Sequence, residues 1–189
     1  ASVRLEAKQM GSKRAEEYGP LMAAVKPILN DVDMAVCHAE VPVVPKGETV
    51  TGYPTFGAPL STMRVIEDMQ FDACTMASNH ALDRGFKMLR FTIDTFEEAG
   101  VVTVGTARSA EHAERTSIFT TDTGVKIGLV AATYGSNAGW DEQRPWALSK
   151  LNAGRMIAQA RAARAAGADI VIANAHAGTE YQHAPNSQQ

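Results

Sequence analysis

Short apolar runs alternate with stretches of helical period along most of the chain, and that alternation predicts an α/β fold. Residues 13–29 carry Leu21, Val25 and Ile28 at helical spacing, which predicts a helix whose start is broken by Gly19 and Pro20. Residues 34–37, inside DMAVCHAE, read as a strand. Residues 41–59, VPVVPKGETVTGYPTFGAP, are rich in proline and glycine and read as one irregular loop, of a length that is often functional. A helix over 59–69 then feeds a strand over 72–76. Asp83 is placed to cap a helix running to Ala99, with Phe86, Leu89, Ile93 and Phe96 at helical spacing and Gly100 as its stop. A short strand follows at 101–104, and 117–121 with 126–132 read as a hairpin around Asp122-Thr123-Gly124-Val125. Asn152 caps a helix to Ala166, Gly167 closes it, and 170–176 form the last strand.

Composition narrows the class. The chain has 189 residues, 45% apolar and 21% charged, which suits one soluble-type domain with a sizeable core. A formal charge of −3 offers no basic stripe, so nucleic acid is not an expected partner. Arg155, Arg161 and Arg164 lie along one helical segment and read as a solvated face. Cys37 and Cys74 sit in apolar runs without a CxxC pairing and read as small buried hydrophobes, which leans toward a reducing, cytoplasmic setting. No apolar stretch is long enough to span a bilayer.

Three strands end in the same way. DMAVCHAE, FDACTMASNH and ADIVIANAHAG each run from apolar residues into ligand-type residues at the carboxyl end. Open α/β sheets bind ligands at that end, where loops from neighbouring strands converge, so Glu40, Asn79, His80 and His176 are expected to meet. A carboxylate, an amide oxygen and an imidazole make a mixed ligand set suited to Mn, Fe, Zn or Ca. His80, beside Asn79, would face substrate and move a proton. Structural readings stand beside these: Asn79-His80 as a turn pair, Glu40 as a solvated strand end, and His176 as a satisfied structural histidine. His112, in SAEHAER, reads as a surface residue, while His38 and His183 each neighbour a candidate.

The blocks that carry this chemistry resemble a known family in the right order. DMAVCHAEVPV is similar to a strand ending in Asn-Leu-Glu-x-Pro, ASNHALDRG to Asn-Asn-His-x-x-Asp-x-Gly, and ANAHAGTEYQHAPNSQQ to a His-Trp-Gly-x-Glu-Tyr block. Together with GYPTFGAP, AGVVTVGTARSAEHA and GVKIGLVAATYGSN, they make the chain resemble the CapA family of poly-γ-glutamate capsule biosynthesis proteins, related in fold to the calcineurin-like metallophosphatases. The resemblance implies a layered α/β/β/α sandwich in one domain over 1–189, and a site with two divalent metal ions. It implies Glu40, Asn79 and His176 as metal ligands, His80 as the catalytic histidine, and His38, Glu180 and Tyr181 as substrate-pocket residues.

The implied activity is metal-dependent chemistry on a peptide, polyglutamate-like or phosphorylated substrate. Its alternatives are epimerisation of a peptide residue by proton removal at Cα, or a non-catalytic capsule-assembly role. Family members are often membrane-anchored and extracellular. Departures from the pattern are His38-Ala39 in place of Asn-Leu, and Ala177 in place of the tryptophan. No Gly-Asp strand precedes Lys13, and no Gly-His-x-x-His block follows. The expectation is therefore an incomplete portion of the family fold, with exposed sheet edges, stable with a partner chain or the rest of its polypeptide.

Overall fold

A computed structural model describes residues 19–189. It begins with two single turns of helix, α1 (Gly19–Met22) and α2 (Lys26–Leu29), where the periodicity predicts one continuous helix; the part of that helix before residue 19 lies outside the described residues. Pro27 accounts for the interruption, because it has no N–H to donate to the carbonyl of Ala23 four residues earlier. Val25 and Ile28 are consequently exposed rather than on a buried face.

The first sheet is parallel, in the order β1 (Val36–His38), β4 (Ala73–Thr75) and β5 (Val102–Val104). The proline-rich stretch contains a small parallel pair, β2 (Val43–Val44) and β3 (Ala58–Pro59), so it is more regular than its composition suggests. Val43 N–H donates to Thr92 Oγ1 on the next long helix, which anchors that pair to the core. Helix α3 (Thr62–Asp68) leads into β4.

The helix α4 (Gly85–Glu98) buries Met88, Leu89, Thr92, Ile93 and Phe96, a stripe at helical spacing that packs on β2 and β5. Phe96 is 1% exposed, and its burial alone is worth roughly 1.5–3 kcal/mol. Gly100, at φ +81°, ends this helix as the sequence predicts. Asp83 does not cap it: Arg84 occupies that position without a side-chain bond, and the Asp83 carboxylate is engaged elsewhere.

The short helix α5 (Ala110–Ala113) is capped by Ser109, whose hydroxyl accepts from His112 N–H. His112 is not a free surface residue, because its side chain is only 9% exposed and its Nε2 lies 3.1 Å from Glu97 Oε1. The second sheet orders β6 (Ser117–Thr120), β7 (Lys126–Thr133) and β8 (Ile170–His176), with β6 antiparallel to β7 and β7 parallel to β8. Helix α6 (Ala153–Ala165) starts where Asn152 Oδ1 accepts from Arg155 N–H, 2.9 Å away. It packs on β7 and β8, and Arg155, Arg161 and Arg164 stand in solvent. A Cβ on Gly128 of β7 would lie 2.7 Å from Ala163 Cβ, so glycine lets α6 approach.

The segment Ala147 to Leu151 ties the two sheets together. Ser149 N–H donates to Gly105 O at the end of β5, and Thr133 N–H at the end of β7 donates to Ser149 O. Gly105 itself, at φ +92°, lies where a Cβ would meet Ala77 at 2.6 Å and Ala131 at 2.9 Å. The result is a mixed α/β architecture of one parallel sheet, one mixed sheet and packed helices, consistent with the metallophosphatase-like expectation. Among the described residues β1 and β8 are edge strands, and Ile170 and Ile172 on β8 are 48% and 42% exposed.

The cysteines correct the sequence reading. Cys37 on β1 and Cys74 on β4 are register partners, 4.4 Å apart at Cα, with their sulfurs in direct contact rather than apart in separate apolar runs. Adjacent parallel strands place two side chains of like phase face to face, a proximity that spacing along the chain does not reveal.

Candidate functional site

The three strand ends converge on one hollow. A cavity of about 430 Å³ is lined by Glu40 beyond β1, Asn79 and His80 beyond β4, Tyr134 beyond β7, and His176 at the end of β8. Glu180 and His183 also line it. The parallel pairings explain this meeting, since β1 with β4, and β7 with β8, run in the same direction and end together. A larger hollow of about 710 Å³ lies between β5, β6 and α6, but it carries none of the candidate ligands.

Asn79 is buried, and its Oδ1 lies 2.9 Å from His176 Nε2. This is a hydrogen bond from His176 Nε2–H to Asn79 Oδ1; two neighbouring ligands of one metal also stand about 3 Å apart, so with the His176 hydrogen on Nδ1 the pair would have that separation. Glu40 lies on the same cavity wall and is exposed. Among the described residues no group of three His, Cys, Asp or Glu is clustered closely enough to hold a metal by itself. The candidate set depends on the Asn79 amide oxygen, which adds no charge and costs less to bury than a carboxylate.

Ring stacking fixes His176. His38 lies against one side at 5.0 Å between centroids and Tyr134 is stacked at 6.0 Å. His38 Nδ1 is 2.9 Å from Thr75 Oγ1, so the ring is tied to β4 as well. Desolvation holds the His38 imidazole below its ordinary pKa, with the nearby His176 adding to the effect and Glu40 and Thr75 opposing it. His38 is an exposed residue that stacks on a candidate ligand and does not line the cavity.

His80 has the partner that a proton-transfer residue needs. Its Nδ1 is 2.7 Å from Asp83 Oδ2, and the Asp83 side chain is 1% exposed. The same carboxylate oxygen accepts from Phe56 N–H at 2.8 Å, and the Phe56 ring packs edge-on against the imidazole, 4.7 Å between centroids. An ionised carboxylate accepts only, so Nδ1 carries the hydrogen, and a ring without a second hydrogen presents an Nε2 lone pair. Backbone bonds set this up: His80 N–H donates to Ser78 Oγ, and Asp83 N–H to His80 O.

The site residues expected from the sequence fall into two groups. Glu40, Asn79, His80, His176 and Glu180 share the cavity. Tyr181 does not line it; the residue turns through φ +61° and its side chain is 99% exposed. Asp83, Asn137, Tyr134 and Phe56 were not singled out as site residues by sequence reasoning. Asp83 carried a signal, being three residues after His80 in a tight turn; Asn137 and Tyr134 lie in the block GVKIGLVAATYGSN, which marks the family resemblance without assigning them a role.

Comparison with known proteins gives the family. The sequence profile of the family described as "Bacterial capsule synthesis protein PGA_cap" matches residues 3–189. The "Capsule biosynthesis protein CapA" of Bacillus anthracis is 27% identical over 133 residues, 68% of this chain and 32% of its own length. The "PGA biosynthesis protein CapA" of Bacillus subtilis (strain 168) is 28% identical over 138 residues, 68% of this chain and 34% of its own length. The match thus spans about a third of the length of these curated relatives. With nearly every residue inside the profile and the motif residues gathered at one cavity, the chain belongs to the bacterial capsule-synthesis family of the CapA proteins.

Proposed function

We propose that this chain carries a metal-dependent catalytic site of the capsule-synthesis family, acting on a peptide, polyglutamate-like or phosphorylated substrate. The observation that carries the reading is the 2.9 Å approach of Asn79 Oδ1 and His176 Nε2 in a cavity also lined by His80, which Asp83 holds from the buried side. Asn79, His176 and Glu40 are the proposed ligands, and their mixed oxygen and imidazole chemistry suits Mn, Fe, Zn or Ca. A bound divalent cation supplies Lewis acidity toward a phosphoryl or carbonyl oxygen. His80 moves the proton: Asp83 holds the ring and stabilises it when charged, while Nε2 faces the reacting group. Glu180 and His183 on the cavity wall are placed to meet polar groups of the substrate.

Metal content tests this reading directly. Protein purified from metal-supplemented medium is expected to hold near-stoichiometric divalent metal, and Asn79→Ala and His176→Ala to lose it. Metal-free wild type, with Asn79→Ala indistinguishable from it, would favour a scaffold role in capsule assembly instead. A second reading within the enzyme class follows from the Nε2 lone pair of His80, which suits it to remove a proton beside a carbonyl. Deuterium uptake at a peptide Cα in heavy water would assign epimerisation, and phosphate release from an ester would assign hydrolysis. Among the described residues no helix is long and apolar enough to cross a membrane.

A further inference from the structure

We propose that Asn137 is the positioning residue of this site, setting both which atom of the Asn79 amide faces the cavity and how the His80 ring is held. The inference rests on the metal-site reading above, because it concerns the same two side chains. Asn137 follows β7 in the loop Tyr134-Gly135-Ser136-Asn137, and its backbone N–H donates to Asn79 O at 2.8 Å. Its side chain lies between the candidate ligand and the candidate proton-transfer residue. Asn137 Oδ1 accepts from Asn79 Nδ2 at 3.2 Å, and Asn137 Nδ2 approaches His80 Nε2 at 3.5 Å.

The direction of these bonds gives the argument its force. A buried primary amide can be turned over with little change in shape, exchanging its oxygen for nitrogen at the same place. At Asn79 the flipped amide would aim N–H at His176 and at any cation beside it, abolishing ligation. Asn137 Oδ1 is an acceptor, so it holds Asn79 Nδ2 on its own side and leaves Oδ1 toward His176. The same amide presents its N–H side to His80 Nε2, which matches the tautomer with hydrogen on Nδ1 and bonded to Asp83. A consistently oriented chain therefore runs from His176 through Asn79, Asn137 and His80 to Asp83, each group donating to the next. Asn137 is its one exposed side-chain bridge, so replacing it does not empty a core position.

Two substitutions separate the two duties. Asn137→Ala removes both contacts, while Asn137→Asp keeps an acceptor for Asn79 but has no N–H to offer His80. In titrations with Mn²⁺, Asn137→Ala is expected to bind about tenfold more weakly or worse, the effect typical of lost outer support for a metal ligand, whereas Asn137→Asp retains affinity. Nitrogen-15 spectra of the His80 ring in metal-free protein give the second readout. Wild type is expected with hydrogen on Nδ1 alone, and Asn137→Asp with a second hydrogen on Nε2, facing the new carboxylate while Nδ1–H stays on Asp83. Wild-type Mn²⁺ affinity in Asn137→Ala together with an unchanged His80 ring pattern in Asn137→Asp would overturn the proposal. Should wild type bind no Mn²⁺, the metal-site reading fails by itself, and the ring spectra still decide whether Asn137 orients His80.

Discussion

Asp83 Oδ2 serves two donors at once, His80 Nδ1 at 2.7 Å and Phe56 N–H at 2.8 Å. The carboxylate is buried, yet both contacts come from groups that need it, and together they fix one face of the site. This joins the proline-rich loop to the Asn-His turn through a single oxygen. Asp83→Asn keeps the shape and removes the charge that supports a protonated ring. On whichever substrate proves correct, kcat is expected to fall roughly a hundredfold or more with KM little changed. An Asp83→Asn enzyme with wild-type kcat would show that His80 works without this partner.

Gly105 stands where the two sheets come closest. Alanine there would bring a Cβ to 2.6 Å from Ala77 and 2.9 Å from Ala131, at a backbone φ of +92°. Gly105→Ala is expected to cost about 2–4 kcal/mol from crowding and left-handed strain, measured as a lower urea midpoint with an unchanged slope. A loss below about half a kcal/mol would mean that the sheets separate more easily than their contacts imply.

His112 makes stability depend on pH. Burial holds its imidazole below the ordinary value of 6.5; Glu97 opposes the shift, and Arg108 and Arg115 add to it. The unfolded chain therefore takes up the proton first as pH falls. Support for the fold is complete above 6.5 and is withdrawn as the pH drops from there toward the lower folded value. Urea midpoints taken from about pH 8 down to about pH 5 are expected to decline, and His112→Gln to flatten part of that decline. An identical slope in the variant would place the titration elsewhere.

Asn152 caps a helix that contributes little else to the core, since Ala163 is the buried residue of α6. Asn152→Ala is expected to cost about 1 kcal/mol, with the loss of amide protection concentrated in the first turn of α6.

The sequence was most readable where chemistry and periodicity coincide. The α4 stripe, the stop at Gly100, the hairpin of β6 and β7, the Asn152 cap and the last strand all follow from local spacing. The ligand-type endings were legible because parallel strands bring their carboxyl ends together. Three things were not. Pro27 overrode a helical period within residues 13–29, through a missing N–H that the apolar pattern does not register. The Cys37 to Cys74 contact depends on register between strands, a property of the sheet and not of either segment. Asp83 looked like a helix cap because an acidic residue before an amphipathic run usually is one, and only the turn at His80 redirects it. Asn137 reaches the site from 58 residues beyond Asn79, at the end of a block that resembles the family but does not by itself say what the residue touches.

The bond between Asn79 and His176 spans the seam between the two halves of the molecule, since one residue follows β4 and the other ends β8. Anything that grips both side chains acts as a clasp across that seam, and its grip is paid back as resistance to prying the halves apart. Occupancy of the cavity and mechanical cohesion of the protein then become one quantity read in two ways.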